Sequence, residues 1–143
     1  MKVFGCQLDI VWENKPANFA RVQEIIASAK PPPGSLVVLP EMFATGFTMN
    51  VSGNAEPAIG KSAGTAAFLA GVARDFRIFL MGGLVSAADK GRGRNQAVVF
   101  SPEGKEIARY SKCQPFSLGG ETQHYEAGKE IVLFNWQDCL VAP

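Results

Sequence analysis

Apolar residues follow two spacings along this chain, and the switch between them lays out its elements. Val3-Phe4-Gly5-Cys6-Gln7-Leu8 reads as a first strand. Over residues 14–30, Phe19, Val22, Ile25 and Ile26 recur at steps of three and four, the period of one helix face. Pro16 falls in the first turn of that helix, where its missing N–H is harmless. Pro31-Pro32-Pro33-Gly34 then breaks the chain and feeds Leu36-Val37-Val38-Leu39, a wholly apolar run of the kind a strand buried on both faces shows. Residues 42–61 carry Gly, Asn, Thr and Ser with weak periodicity and read as one long loop, a length often associated with function. Helical spacing resumes over residues 65–76 through Ala66, Phe68, Leu69, Val72 and Phe76. Residues 78–84 form a second buried-type strand, with Gly82 and Gly83 permitting close backbone approach. Residues 96–100 and 105–110 flank Ser101-Pro102-Glu103-Gly104, whose proline and glycine suit a type I turn and hence a hairpin. Residues 131–134 and 139–141 form a last strand pair around Asn135-Trp136-Gln137-Asp138. The order βαβαβ, hairpin, strand pair predicts one α/β domain with a mixed sheet over residues 1–143, with no internal repeat or linker.

Composition narrows the classes. The chain has 143 residues, 47% hydrophobic and 19% charged, with a formal net charge of +1. That balance suits a soluble globular domain and gives nucleic acid no basic face to bind. Lys90, Arg92 and Arg94 alternate with glycine and read as a flexible turn. Three cysteines (Cys6, Cys113, Cys139) without a CxxC pair, and one histidine, His124, give no metal-ligand spacing. No apolar run reaches the roughly 20 residues of a membrane span, and the start of the chain reads as a strand and not as a signal peptide. A reducing, cytoplasmic setting is the expectation.

The candidate chemistry starts at Glu41. Pro40 ends the run 36–39 because it has no N–H for the ladder, so Glu41 is held at the carboxyl end of a buried strand, where open α/β sheets build their sites. Such a glutamate is ordinarily a solvated loop residue. Phe43 and Phe47 favour a functional reading, since an apolar wall would push a carboxylate toward a useful general base. Lys112, just past residues 105–110, is by itself a surface charge. Fixed beside a carboxylate, it becomes a cation for a developing oxyanion. Glu121, in Gly119-Gly120-Glu121-Thr122-Gln123-His124-Tyr125, signals little alone, and His124 reads as a hydrogen-bonded or surface residue. Gly82-Gly83 and Gly119-Gly120 match neither a P-loop nor a dinucleotide fingerprint.

Taken together, Leu39-Pro40-Glu41, Tyr110-Ser111-Lys112 and Glu121 seven residues before Gly128 resemble the nitrilase superfamily, the carbon–nitrogen hydrolases. Gln7-Leu8-Asp9, Asn18-Phe19, Asn95-Gln96-Ala97-Val98-Val99 and Pro102-Glu103-Gly104 extend the likeness over nearly the whole chain. Residues 40–47 and Gly120-Glu121-x-x-His124-Tyr125 look most like the bacterial omega-amidase branch, which hydrolyses the terminal amide of 2-oxo dicarboxylic acid monoamides. The resemblance implies an αββα sandwich, a homodimer or higher homo-oligomer, and cysteine thioester chemistry with no metal or organic cofactor. It makes Glu41 the general base, Lys112 the oxyanion stabiliser and Glu121 the residue that orients the lysine and the attacking water. Phe43, Phe47 and Phe116 are the expected substrate-binding residues, for a small amide.

The family's nucleophilic cysteine, introduced by a Cys-Tyr-Asp-x-Arg-Phe type motif, is expected a few residues beyond Pro143. Cys139 lies within a strand and lacks that context. Cys113 follows Lys112 on an extended segment and points the other way, and Cys6 is in the first strand. The expectation is therefore an N-terminal part of a longer hydrolase, incomplete at the C-terminal side and inactive by itself. The alternative is a truncated non-catalytic binding or regulatory module of the same fold.

Overall fold

The computed structural model describes residues 1–57 and 64–143. The apolar run at 36–39 holds the short strand β2 (Leu36–Val38), paired in parallel with β1 (Val3–Gly5) on one side and β3 (Phe79–Ala87) on the other. Both of its faces are covered, which is why it has no polar alternation. Val37 joins the helical side of the core, and Leu36 packs on the opposite face with Val99, Ala108, Phe134 and Trp136. From β3 the sheet continues antiparallel through β4 (Gly93–Phe100) and β5 (Glu106–Ser111), giving the order β1-β2-β3-β4-β5. The mixed α/β sheet expected from the element order is present.

Two helices cover one face. Asn14 caps α1 (Lys15–Ala29) by accepting from Ala17 N at 3.1 Å, and Pro16 sits in its first turn. Val22 and Ile26 of α1 meet Leu69, Val72 and Ala73 of α3 (Thr65–Phe76) over Val37, Leu80, Leu84, Val98 and Phe100. Phe19 stacks on Phe68 with ring centroids 4.1 Å apart, and Phe43 tilts against both. Buried Asn18 donates to the carbonyls of Val11 and Ala44 at 2.8 Å each, fastening α1 to the segment after Glu41. The other face carries a separate antiparallel ribbon, β6 (Phe134–Trp136) and β7 (Cys139–Val141). Trp136 anchors it by donating from Nε1 to Gly34 O at 3.0 Å. No helix among the described residues is long and apolar enough to cross a membrane.

Several boundaries differ from the sequence reading, each for a physical reason. β1 stops at Gly5 because its partner β2 ends at Val38 and Pro40 follows. Beyond Gly5 the pairing continues only as the bond from Cys6 N to Val38 O. β3 and β4 run past the expected ends of their apolar cores, joined by a single tight turn at Asp89–Gly91, so Arg94 lies in a strand and not in a flexible turn. Residues 131–133 are not strand. Val132, Phe134 and Trp136 face the sheet while Ile131, Leu133 and Asn135 face outward, and the ribbon turns on Gln137 and Asp138 alone. Within 42–57, α2 (Val51–Asn54) adds one turn to the expected loop, whose remainder at 58–61 lies outside the described residues.

One glycine fixes how closely the segment after β2 approaches the sheet. A Cβ on Gly83 would lie 2.4 Å from Met42 N and 3.0 Å from Glu41 Cα, both backbone atoms that cannot swing aside. Gly83→Ala is expected to cost about 1–3 kcal/mol through forced backbone movement. Gly71→Ala on α3, where a Cβ meets nothing within 4 Å, is expected to gain up to about 1 kcal/mol of helix propensity. Urea midpoints of the two variants shifting in opposite directions checks both, and equal midpoints would remove the argument.

Candidate active site

The chain bends sharply after Pro40. Met42 takes a left-handed backbone (φ 46°) and its carbonyl accepts from Thr45 N at 3.0 Å and Gly46 N at 2.8 Å. That conformation costs a non-glycine residue about 1–2 kcal/mol. The bend buries Met42 and Phe43 completely and leaves the Glu41 side chain half-exposed beyond the end of β2. β4 brings Asn95 alongside, and the ladder extends past β5 because Lys112 N donates to Asn95 O at 2.9 Å. Glu121 opens the single turn α4 (Glu121–His124), with its side chain wholly buried.

These residues form one hydrogen-bonded cluster. Lys112 Nζ donates to Glu41 Oε1 at 2.8 Å and to Glu121 Oε2 at 2.9 Å. Asn95 Nδ2 donates to Glu41 Oε1 at 2.5 Å and to Glu121 Oε1 at 2.8 Å. Phe116 N donates to Glu121 Oε2 at 2.6 Å. Burial alone would push the Glu121 carboxyl up, but Asn95, the Phe116 N–H and the Lys112 ammonium outweigh it and hold the group below the usual carboxylate range. Burial likewise works against the Lys112 charge, and the two carboxylates overcome it and raise the ammonium above its ordinary value. The Lys112 ammonium also lies 5.3 Å from the centre of the Phe47 ring, a cation–π distance.

Two cavities meet at this cluster. One of about 300 Å³ runs beneath it along Leu39, Met81, Gly83, Ala97 and Tyr110. The other, an open cleft of about 640 Å³, is bounded by Glu41, Phe47, Lys112, Gln114, Phe116 and Ser117. The structure thus gathers Glu41, Lys112 and Glu121, and sets Phe47 and Phe116 at the cleft. Phe43 is elsewhere: its ring belongs to the helical side of the core and walls neither cavity. His124 is exposed. None of the three cysteines lines either cavity: Cys6 packs at the margin of the helical core, Cys113 Sγ sits 3.6 Å from the Ser111 and Glu130 carbonyls, and Cys139 is exposed on β7.

The sequence reading gave no role to Asn95, although a polar residue in a strand that ends in Ala97-Val98-Val99-Phe100 signals a buried partner. The glycine–arginine run also has a task. Arg92 donates to the carbonyls of Thr122 and Tyr125 at the end of α4, and Arg94 pairs with Glu126 at 2.8 Å, so the run clasps the segment that delivers Glu121. Tyr125 completes the clasp by donating to Thr48 O at 2.6 Å. Burial first, then the charges of Glu121 and Glu13, push its hydroxyl up to about 12. Gly128 closes the other end: a Cβ there would lie 2.1 Å from Ser111 O, and its N–H donates to Lys112 O at 2.9 Å.

Residues 3–138 match the family model for carbon–nitrogen hydrolase. The omega-amidase YafV of Yersinia enterocolitica is 32% identical over 146 aligned positions, covering 100% of this chain and 53% of that protein. Among solved structures, XC1258 from Xanthomonas campestris, a CN-hydrolase superfamily protein with an arsenic adduct in its active site, superposes with a TM-score of 0.84 at 24% identity, over 99% of this chain and 51% of that one. The amidase from Nesterenkonia sp. AN1, with acrylamide added at its active-site cysteine, superposes with a TM-score of 0.81 at 16% identity over 99% of this chain and 56% of its own. The chain therefore spans about half the length of these relatives.

Proposed function

The chain belongs to the carbon–nitrogen hydrolase family, and on that premise we propose that it supplies the base, the lysine and the second carboxylate of an amidase that releases ammonia from a small ω-amide such as a 2-oxo dicarboxylic acid monoamide. One observation carries the assignment of roles. Every oxygen of Glu121 is engaged by a donor, whereas Glu41 keeps Oε2 free of hydrogen bonds among the described residues, and Lys112 spends two of its three ammonium protons on carboxylates. Glu41 is thus the carboxylate able to take a proton, and Lys112 retains one donor for an oxyanion.

In this reading a cysteine thiol gives its proton to Glu41 Oε2 as the sulfur attacks the amide carbonyl. Lys112 holds the oxyanion, the proton passes to the departing nitrogen, and ammonia leaves a thioester. Glu41 then takes a proton from water, which attacks the thioester and frees the acid and the thiol. The thiol comes from outside the 143 residues, because no cysteine here borders the cavities at Glu41 and Lys112. Phe47 and Phe116 flank the acyl group in the open cleft. A homodimer belongs to the same reading through the resemblance, and a cytoplasmic setting is supported by the three free cysteines.

The test measures ammonia released from 2-oxoglutaramate by the intact gene product and by the 143-residue chain. Turnover by the former and none by the latter is expected. Turnover by the 143-residue chain that disappears on Cys6→Ser, Cys113→Ser or Cys139→Ser would overturn the placement of the thiol. Absence of ω-amide hydrolysis by the intact product would overturn the activity.

A further inference from the structure

Asn95 belongs to no role assigned so far, yet it is the residue through which the whole cluster is coupled. Its side-chain nitrogen bridges Glu41 Oε1 and Glu121 Oε1, and its main-chain oxygen accepts from Lys112 N at 2.9 Å. It lies on β4 opposite Val85 of β3 and is 5% exposed, so the amide has little room to turn. Chemistry fixes which end faces the carboxylates. Only the NH2 group donates, and a carbonyl oxygen turned toward two carboxylates would meet acceptors alone. The amide offers both of its protons and takes none.

We propose that Asn95 is a positioning residue that selects the basic atom of Glu41: by filling Oε1 jointly with Lys112, it leaves Oε2 as the one oxygen that can receive the thiol's proton. The inference rests on the amidase reading above. Two effects follow from one amide. A neutral double donor stands between two carboxylates that share a single ammonium, and it gives each of them a hydrogen bond without adding charge. The charged groups facing it are Glu41 after β2, Lys112 after β5 and Glu121 on α4, and the Glu121 charge also acts on the Tyr125 hydroxyl, which donates to Thr48 O. Asn95→Asp keeps the shape and replaces the donor with a third carboxylate. Asn95→Ala removes the donor without adding charge.

Two measurements test this. In the intact gene product, Asn95→Asp is expected to lower kcat for ω-amide hydrolysis about 100-fold or more, with KM within about threefold, and to move the acid limb of kcat/KM to higher pH. Asn95→Ala is expected to move the limb in the same direction by less. A purely structural role would lower the active fraction and leave the limb in place, so a lowered kcat with an unmoved limb in both variants overturns the proposal. The second measurement needs no turnover. In the proton–nitrogen correlation spectrum of the intact gene product, the two Asn95 side-chain amide protons are expected to respond separately, one to Glu41→Gln and the other to Glu121→Gln. Amide protons indifferent to both substitutions overturn the bridge. If the protons respond but the protein hydrolyses no ω-amide, the bridge stands and the amidase reading is what fails.

Discussion

Glu41→Gln is expected to lower ammonia release by the intact gene product about 100- to 10,000-fold, the range general-base catalysis supplies, with KM nearly unchanged. Glutamine has the volume of glutamate, and its carbonyl oxygen can accept from Asn95 and Lys112 where Oε1 does now. The Oε2 position becomes an NH2 group, which has no lone pair available for a proton. The change is therefore confined to proton transfer. Because Glu41 is half-exposed and its substitute keeps both acceptor contacts, the thermal midpoint should stay within about 2 °C of the parent. Steady-state ammonia release and a melting curve on the same preparation check the two halves of this expectation. A folded Glu41→Gln protein with near-parental turnover would remove Glu41 as the base, and Asn95 would then have no atom to select.

The parts of this molecule that repeat at a helix or strand period could be read from the chain. Val22 and Ile26, or Leu69 and Val72, are buried because they recur on one face, and the apolar run at 36–39 is buried on both. What escaped was set by partners distant in sequence. β1 is short because β2 is short, and residues 131–133 are left outside the ribbon by the register of Phe134 and Trp136. Phe43 shows the same limit at the site. Two residues from Glu41 it was expected to wall the carboxylate, but the left-handed bend at Met42 turns its ring into the helical core, while Phe47 comes back to Lys112. Asn95 was visible as a polar residue in a strand, yet its partners lie 54 and 26 positions away and no local spacing announces them. Resemblance supplied Glu41, Lys112 and Glu121 as a set. Their hydrogen bonds support the division of labour proposed for them.

Glu121→Ala is expected to destabilise the protein by about 3 kcal/mol, the lower end of the cost of removing one partner from a buried ion pair. The lower end applies because Lys112 keeps Glu41 and remains partly exposed. The loss is not only the ion pair: Asn95 Nδ2 and Phe116 N each lose the acceptor that the buried Glu121 carboxylate provides. The pH dependence carries a sign that tests the cause. Glu121 titrates lower in the folded protein than the roughly 4.3 of a free glutamate. Its contribution is therefore complete above that unfolded value and is lost as pH falls through the folded one. Lys112, raised in the folded state, contributes fully below its unfolded value of about 10.4 and loses that contribution as pH climbs through the folded one. The gap in stability between parent and Glu121→Ala should thus hold steady between about pH 6 and 9 and narrow on acidification. Urea unfolding from pH 3 to 9 measures it. A gap that stays constant down to pH 3 would mean that Glu121 stabilises the fold by filling space, and its charge would then be needed for chemistry alone.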